Sequence, residues 1–199
     1  AILPKSSIDG AGMKKTALSI VILLAWAGLS PAETWEAAVA GGYRTLKDSA
    51  LREIYGNGFV VAPSLSLAMS KTLRVGAEYE FGYSKNAAIG MFEDPSTLKV
   101  RGGHLFVQYG ERSGRFRPFI KTGVGIFAYQ FDVRTPSQPT VNVSETDVSF
   151  FIGGGVRAFF TKRLFGTAEL KYVALWVGSY DDKVDLGGIR LLLGVGYDF

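Results

Sequence analysis

The chain of 199 residues contains no cysteine and only one histidine, His104. Without cysteine, a disulfide framework and a thiolate metal site are both excluded. Acidic and basic residues are interspersed, and no basic run occurs that would indicate a nucleic-acid partner. Glycine, at 25 residues, and aromatic residues, at 13%, are abundant instead. This mixture favours many short strands and turns over a helical bundle.

The most apolar segment, Ala17–Leu29, is too short for a transmembrane helix, which needs about 20 residues. It follows Met13 and the basic pair Lys14-Lys15, and small residues end it at Ser30–Ala32. This arrangement is typical of a secretory signal peptide cleaved after Ala32. We therefore expect residues 1–12 to be an upstream, non-native extension, residues 13–32 a signal peptide, and residues 33–199 a single domain.

Downstream of residue 33 the dominant pattern has a period of two, the spacing at which strand side chains share a face. In the stretch 73–83 the odd positions are apolar or aromatic, and Ile189–Phe199 repeats the pattern. The apolar face of the first stretch comprises Leu73, Val75, Ala77, Tyr79, Phe81 and Tyr83. The same test predicts eight strands, at 34–45, 58–69, 72–84, 97–109, 116–133, 144–160, 164–177 and 186–199.

The connections between the predicted strands alternate in length, which is typical of a transmembrane barrel. Short turns lie at 70–71, 111–115 and 161–163, and longer loops lie near 46–57, 85–96, 134–143 and 178–185. Because hydrocarbon excludes an open sheet edge, the first strand must pair with the last. We also predict a short helix within Leu46–Tyr55. A β-bulge is expected at Gly102-Gly103, where the apolar parity of the fourth strand changes.

Period two does not by itself say which face points outward. Aromatic residues near strand ends, such as Trp35 and Trp176, favour an apolar exterior, because outer-membrane barrels carry aromatic girdles at both interfaces. The alternative, a soluble lipocalin-like barrel, would turn Tyr79, Leu191 and Val195 into a cavity. In a membrane barrel, charges of both signs must pair inside a narrow lumen. These inward charges are Glu36, Arg44, Arg74, Glu78, Glu80, Lys121, Asp147, Arg157, Glu169, Lys171, Arg190 and Asp198.

The segment Arg117–Gly125 resembles the R-P-Y-hydrophobic-x-x-G-V-G strand of the small OmpA-like and opacity-like outer-membrane β-barrel superfamily. Asp185–Ile189 followed by Gly194–Phe199 resembles the last strand of that superfamily, and Ile54–Gly56 is similar to a motif of some members. The resemblance implies an all-β fold, a closed antiparallel up-and-down transmembrane barrel of about eight strands in the outer membrane of a Gram-negative bacterium. The residues that resemble the C-terminal assembly signal are Leu191, Leu193, Val195, Tyr197 and Phe199.

Residues suited to enzyme chemistry are few. Barrel-type lipid A deacylases carry a His-x-Ser arrangement, whereas Phe106 stands two residues after His104. A hydrolase would therefore need a serine from elsewhere in the chain beside His104. Glu78 and Glu80 suggest acid–base chemistry, cation binding or, as we prefer, a charge ladder paired with basic residues. The acidic segment Asp181–Asp185 suggests either a loop calcium site or a solvated loop.

The sequence thus predicts a structural or interaction barrel that is monomeric, is not an enzyme and needs no cofactor. Its expected partners are outer-membrane lipid and lipopolysaccharide, the assembly machinery during biogenesis, and an extracellular ligand bound by the loops. The residues expected to plug the lumen are Arg74, Glu78, Glu80, Lys121, Arg157, Glu169, Lys171 and Arg190. The alternatives left open are an enzyme that acts on lipid A or phospholipid through His104, and a small porin-like channel.

Overall fold

A computed structural model describes residues 34–90, 93–111, 113–134, 141–177 and 184–199. The predicted extension and signal peptide lie outside these residues. The elements are β1 (Trp35–Arg44), α1 (Ser49–Tyr55), β2 (Gly58–Ala68), β3 (Leu73–Ile89), β4 (Asp94–Gly110), β5 (Phe116–Val133), β6 (Val141–Phe159), β7 (Leu164–Val177), β8 (Val184–Asp185) and β9 (Gly188–Asp198). No helix among the described residues is long and apolar enough to cross a membrane.

Eight of the strands close into an antiparallel barrel, which confirms the predicted fold. The strands β1 to β7 pair in sequence order, and β9 fills the gap between β7 and β1, while the two-residue β8 pairs only with β7. The amide of Phe199 donates to the carbonyl of Trp35 at 2.8 Å, so the predicted pairing of first and last strands is present. Following paired residues once around the barrel from Trp35 leads back to β1 at Thr45, a stagger of ten residues. A stagger of this kind tilts the strands by about 35–45° from the barrel axis.

The two ends of the barrel differ in their connections. Tight turns join β2 to β3, β4 to β5 and β6 to β7 at one end, called here the turn end, where Thr34 and Phe199 also lie. In the last of these turns the hydroxyl of Thr161 accepts a hydrogen bond from the amide of Leu164 at 2.9 Å. The other end, called the loop end, carries α1 and the longer connections. Three of the four loop-end connections are longer than the turns, but the one between β3 and β4 spans only residues 90–93, so the predicted alternation holds for three of the four.

The outer surface of the barrel wall is apolar. Its side chains alternate with buried ones along every long strand, as the period of two requires. Tyr79, Leu191 and Val195 are 46%, 54% and 60% exposed, so the lipocalin-like alternative, which turned them inward, is wrong. Aromatic residues lie on this surface toward both ends. They are Trp35, Tyr109, Phe116, Phe160, Tyr197 and Phe199 at the turn end, and Tyr43, Phe59, Phe81 and Trp176 toward the loop end.

The predicted β-bulge at Gly102-Gly103 is wrong, because the irregularity lies on the neighbouring strand. Glu80 of β3 pairs with Gly102, but the next matched pair is Tyr83 with Val100. Two residues of β3, Phe81 and Gly82, thus face a single residue of β4, and Gly82 takes a φ of 100°, which favours glycine. Beyond the bulge, the odd-numbered residues of β3 therefore point into the barrel instead of outward. Tyr83, which the sequence pattern placed on the outer face, is therefore turned inward and is only 2% exposed.

The predicted loop 85–96 is mostly strand. The β3–β4 ladder continues to Ile89 and Asp94, and the β5–β6 ladder to Val133 and Val141. These two hairpins extend past the last pairing of β3 with β2, at Phe81, and that of β6 with β7, at Ser149. Their outer faces are polar, in contrast to the wall below. The outward residues are Ser84, Asn86, Thr97, Lys99, Arg101, Gln130, Asp132, Asn142, Ser144 and Thr146.

The inner faces of the extended hairpins enclose an apolar core, called here the loop-end core. Helix α1 packs against it through Tyr55, which is 4% exposed. The carboxylate of Asp48 caps the helix by accepting from the amide of Leu51 at 2.9 Å, and Gly56 ends it with a φ of 68°. A short helix within Leu46–Tyr55 was predicted. The fully buried members of the core are Leu46, Val60, Val100, Phe127, Leu175, Leu186 and Leu192.

Candidate functional site: the charged lumen

The inside of the barrel below the loop-end core is lined with charged side chains. All eight residues that the sequence assigned to the lumen point inward, and Lys171 and Arg190 are completely buried. Together with other inward residues they form two clusters, each held together by ion pairs. The central cluster comprises Arg44, Glu78, Glu80, Lys121, Glu169, Lys171 and Arg190, and the turn-end cluster comprises Glu36, Arg74, Gln108, Arg157 and Asp198.

The central cluster is organised around two carboxylates on β3. Glu78 contacts the ammonium groups of Lys121, at 2.9 Å, and of Lys171. Glu80 binds the guanidinium of Arg190 through both oxygens, at 3.0 and 3.2 Å. Lys121 also reaches Glu169 on β7, at 2.8 Å, so this single lysine links two sides of the barrel. Each of these cross-lumen contacts adds a link between strands that are not neighbours in the sheet.

The turn-end cluster is organised around Glu36 of β1. Its carboxylate contacts the guanidinium of Arg157 at 2.7 Å and that of Arg74 at 3.3 Å. Arg157 also donates to the side-chain oxygen of Gln108 at 2.7 Å, and Arg74 to the carboxylate of Asp198 at 3.1 Å. Because its two cations face two anions, this cluster is balanced in charge.

Phenylalanine rings fill the lumen around the charged groups. The ammonium of Lys121 lies 4.8 Å from the ring centroid of Phe106, and the guanidinium of Arg157 lies 5.0 Å from that of Phe119. Rings at this distance attract a cation through the negative face of their π-system. The charges are thus surrounded by partners and by hydrocarbon. This environment strengthens each ion pair and makes the loss of one partner costly.

His104 lies in the middle of the lumen, beside a serine that sequence reasoning did not identify. The hydroxyl of Ser149 is 3.1 Å from Nε2 of His104, and both side chains are buried. The imidazole is packed between the rings of Phe127 and Phe151, with centroids 4.8 and 4.6 Å away. Across the ladder, a Cβ at Gly125 would come within 2.5 Å of His104, so the glycine leaves room for the ring.

The Ser149–His104 pair lacks the third member of a hydrolytic triad among the residues that the structure describes. Nδ1 of His104 is buried and has no hydrogen-bond partner there, so no carboxylate orients the ring. Within the same residues, no group of three or more histidine, aspartate or glutamate side chains is placed to hold a metal ion. Glu78 and Glu80 are both engaged by basic side chains.

Two lumen residues that sequence reasoning did not select, Gln108 and Ser149, are uncharged. Their strand parity was nevertheless informative, since Gln108 shares a face with His104 on β4 and Ser149 shares one with Arg157 on β6. The acidic segment 181–185 lies mostly outside the described residues. Its last member, Asp185, accepts from the amides of Leu175 and Gly187 and lies 3.0 Å from the ammonium of Lys47.

The residues that resemble the assembly signal lie on the outer face of β9, at the strand that closes the barrel. Leu191, Leu193, Val195, Tyr197 and Phe199 are all exposed, and the rings of Tyr197 and Phe199 are in edge contact with centroids 5.1 Å apart. Their recognition by the assembly machinery stays a prediction.

A closed barrel with an apolar, aromatic-edged exterior and a charged interior defines an integral outer-membrane protein. The chain belongs to the family of the outer membrane protein beta-barrel domain, whose model matches residues 16–199. It is therefore a protein of the outer membrane. No curated protein matches the chain at a significant level.

Solved structures of outer-membrane barrels share this fold. OprG from Pseudomonas aeruginosa is 12% identical, with a TM-score of 0.59 over 86% of this chain and 98% of that chain. A major outer membrane protein from Thermus thermophilus is 11% identical, with a TM-score of 0.60 over 84% of this chain and all 100% of that chain. Ail of Yersinia pestis, in complex with the heparin analogue sucrose octasulfate, is 14% identical, with a TM-score of 0.51 over 84% of this chain and 98% of that one. At these identities the likeness concerns the fold alone.

Proposed function

We propose that the protein is a non-conducting, non-enzymatic barrel whose lumen is plugged by its charged clusters and whose loop end binds an extracellular ligand. The main support for a plugged lumen is the set of ion pairs across it, in which Lys121 links Glu78 of β3 to Glu169 of β7. An eight-stranded barrel is only wide enough to be filled by side chains. Paired charges that span this width would therefore block a continuous water path through the lumen.

Planar-bilayer conductance tests the plug. The wild-type protein is expected to show little or no steady conductance. The double variant Lys121→Ala/Glu169→Ala removes one ion pair and much side-chain volume from the lumen, while Glu78 keeps its contact with Lys171. This variant should therefore show conductance openings more often than the wild type. A matched control is Lys162→Ala/Glu111→Ala, which changes one exposed charge of each sign at the turn end. A large, steady conductance of the wild type would overturn the proposal and favour the porin-like alternative.

The second candidate, a lipid hydrolase, is favoured by one observation, the 3.1 Å contact between Ser149 and His104. Against it, both groups are buried inside the barrel, away from the lipid-facing surface, and no described carboxylate orients the imidazole. We therefore assign the pair a packing role in the lumen. Release of acyl chains from lipid A or phospholipid by the wild type, lost in both Ser149→Ala and His104→Ala, would contradict this assignment.

The loop end supplies the surface for partners outside the cell. Its polar outer faces include the exposed cations Lys99 and Arg101 on β4, next to the apolar wall. Cations in this position suit the phosphate groups of lipopolysaccharide, and an anionic ligand has been seen on one protein of similar fold, Ail. The apolar wall would contact the hydrocarbon of the bilayer, and we expect the barrel to act as a monomer.

A further inference from the structure

The central cluster carries an excess of positive charge within the described residues. Four cations, Arg44, Lys121, Lys171 and Arg190, face three carboxylates, those of Glu78, Glu80 and Glu169. In the turn-end cluster, by contrast, Arg74 and Arg157 are matched by Glu36 and Asp198. A buried charge without a counter-charge is unfavourable, so the central cluster has a reason to take up an anion.

The excess is located at the side of the cluster where β1 meets β9. Arg44 and Arg190 are register partners on these adjacent strands, and both are completely buried. They share one carboxylate, that of Glu80, which is 3.0 Å from Nε of Arg190 but 3.5 Å from Nη1 of Arg44. Lys171 is a third cation near the same carboxylate, at 3.7 Å. Glu80 is thus the one carboxylate that Arg44 and Arg190 contact within the described residues, whereas Lys171 also pairs with Glu78.

Both guanidiniums also have donors that the neighbouring residues do not use. Arg44 donates through Nη2 to the carbonyl of Leu186 at 2.5 Å and stacks on the ring of Tyr83, while Arg190 donates through Nη1 to the carbonyl of Gly188 at 3.0 Å. Nε of Arg44 and Nη2 of Arg190 are buried and have no hydrogen-bond partner among the described residues, and Nη1 of Arg44 has only its 3.5 Å ion-pair contact with Glu80. Buried N–H groups of this kind are normally satisfied.

We propose that Arg44 and Arg190 together bind one small monovalent anion of the halide class inside the lumen. Such an ion would neutralise the excess charge and accept from the unused guanidinium donors. The nearby carboxylate of Glu80 disfavours a divalent anion, and the narrow lumen disfavours a large one. The site lies directly below the loop-end core, whose residues Leu46 and Leu192 are completely buried. Anion binding at this site does not require that the lumen conduct.

Bromide titration of the full-length barrel tests the site. The protein is refolded into non-ionic detergent in a solution of sodium gluconate, because the gluconate anion is too large for the lumen. Sodium gluconate is then replaced stepwise by sodium bromide at constant ionic strength. Because only the folded protein has the site, the ratio of folded to unfolded protein should rise with saturation, about 100-fold when bromide reaches a hundred times its Kd. The readout is the thermal unfolding midpoint, followed by tryptophan fluorescence.

Two variants distinguish bromide binding between Arg44 and Arg190 from a general effect of bromide on the stability of the protein. Arg44→Gln removes the excess charge, and the bromide response should disappear. Arg157→Gln removes a cation of the same kind from the turn-end cluster, and the response should persist. An equal midpoint in bromide and gluconate for the wild type would overturn the proposal, as would a response that Arg44→Gln leaves unchanged.

Crystals grown in sodium bromide give a second measurement that does not depend on the folding of any variant. An anomalous bromide peak between the guanidiniums of Arg44 and Arg190 is the expected result. The absence of a peak there, including the case in which bromide binds only at the protein surface, would overturn the proposal.

Discussion

The two halves of strand β4 have opposite polarity although they belong to one continuous strand. Toward the turn end, Leu105, Val107 and Tyr109 point outward and are exposed, while His104 and Gln108 face the lumen. Toward the loop end the apolar residues, Leu98 and Val100, point inward, and the outward positions hold Lys99 and Arg101. The same contrast separates the charged clusters from the loop-end core.

This contrast indicates that the medium outside the barrel wall determines which face of a strand is apolar. Where hydrocarbon surrounds the barrel, apolar side chains point out and polar ones pair inside. Where the hairpins extend beyond the other strands into water, the hydrophobic effect acts as in a soluble protein and places apolar side chains inside. The boundary between the two regimes runs near Arg101 on β4, and the β3 bulge lies beside it.

The charged region should respond most strongly to substitution. Glu80→Ala leaves Arg190, Arg44 and Lys171 without the carboxylate they share, and removal of one partner from a buried ion pair costs about 3–5 kcal/mol. The free energy of unfolding, measured by urea titration of the barrel in lipid vesicles, should fall by that amount. Glu53→Ala on the exposed face of α1 is the control and should change it by less than about 0.5 kcal/mol. Equal effects of the two variants would mean that the central cluster does not stabilise the barrel.

The boundary between the apolar wall and the polar hairpins can be tested by placing arginine at one outward position on each side of it. Leu105 and Thr97 both point outward from β4, but Leu105 lies in the apolar wall and Thr97 on the polar hairpin. Arginine on the lipid-facing surface of a barrel costs about 2–4 kcal/mol near the bilayer centre and about 0–1 kcal/mol outside it. Leu105→Arg should therefore lower the free energy of unfolding in vesicles by the larger amount, and Thr97→Arg should barely change it. If both variants lost the same amount, the hairpins would have to lie within the membrane.

The contrast between the two halves of β4 also shows which features of the fold could be predicted from the sequence and which could not. The period of two revealed the strands and the inward charges, because it depends only on local backbone geometry. The change of parity between Val100 and Leu105 was visible too, but it was interpreted as a bulge in β4. In the structure β4 is regular there, and the change marks the height at which the outer face of the barrel turns from apolar to polar. The real bulge at Phe81-Gly82 had no such signal, since Tyr83 continues the aromatic pattern of β3 while pointing inward.

The contacts of the lumen were predictable only in part, for a physical reason. Parity tells that Lys121 and Glu169 point inward, but the stagger of the barrel decides which strands bring their charges to the same height. That stagger is a property of the closed ring and is not encoded in any single strand. The approach of Ser149 to His104 arises in the same way, from β6 and β4, which are not neighbours in the sheet.

The smallest expected effect concerns the attachment of α1 to the loop-end core. Burial raises the pKa of the Tyr55 hydroxyl above its usual value, so this group stays protonated and donates to the hydroxyl of Ser96 at 2.9 Å. Ser96 in turn donates to the carbonyl of Ala87 at 3.0 Å, which ties the helix to the β3–β4 hairpin.

Tyr55→Phe keeps the ring and its edge contact with Phe131 but removes the hydrogen bond, at a cost of about 0.5–1.5 kcal/mol. Because the loop end lies in water, the loss should appear as faster amide hydrogen exchange in the 46–57 segment, with β1 and β9 unaffected. Tyr43→Phe, on the outer surface of β1, is the matched control and should leave exchange in the segment unchanged. Faster exchange throughout the barrel in Tyr55→Phe would instead mean that the loop-end core and the charged lumen unfold as one unit.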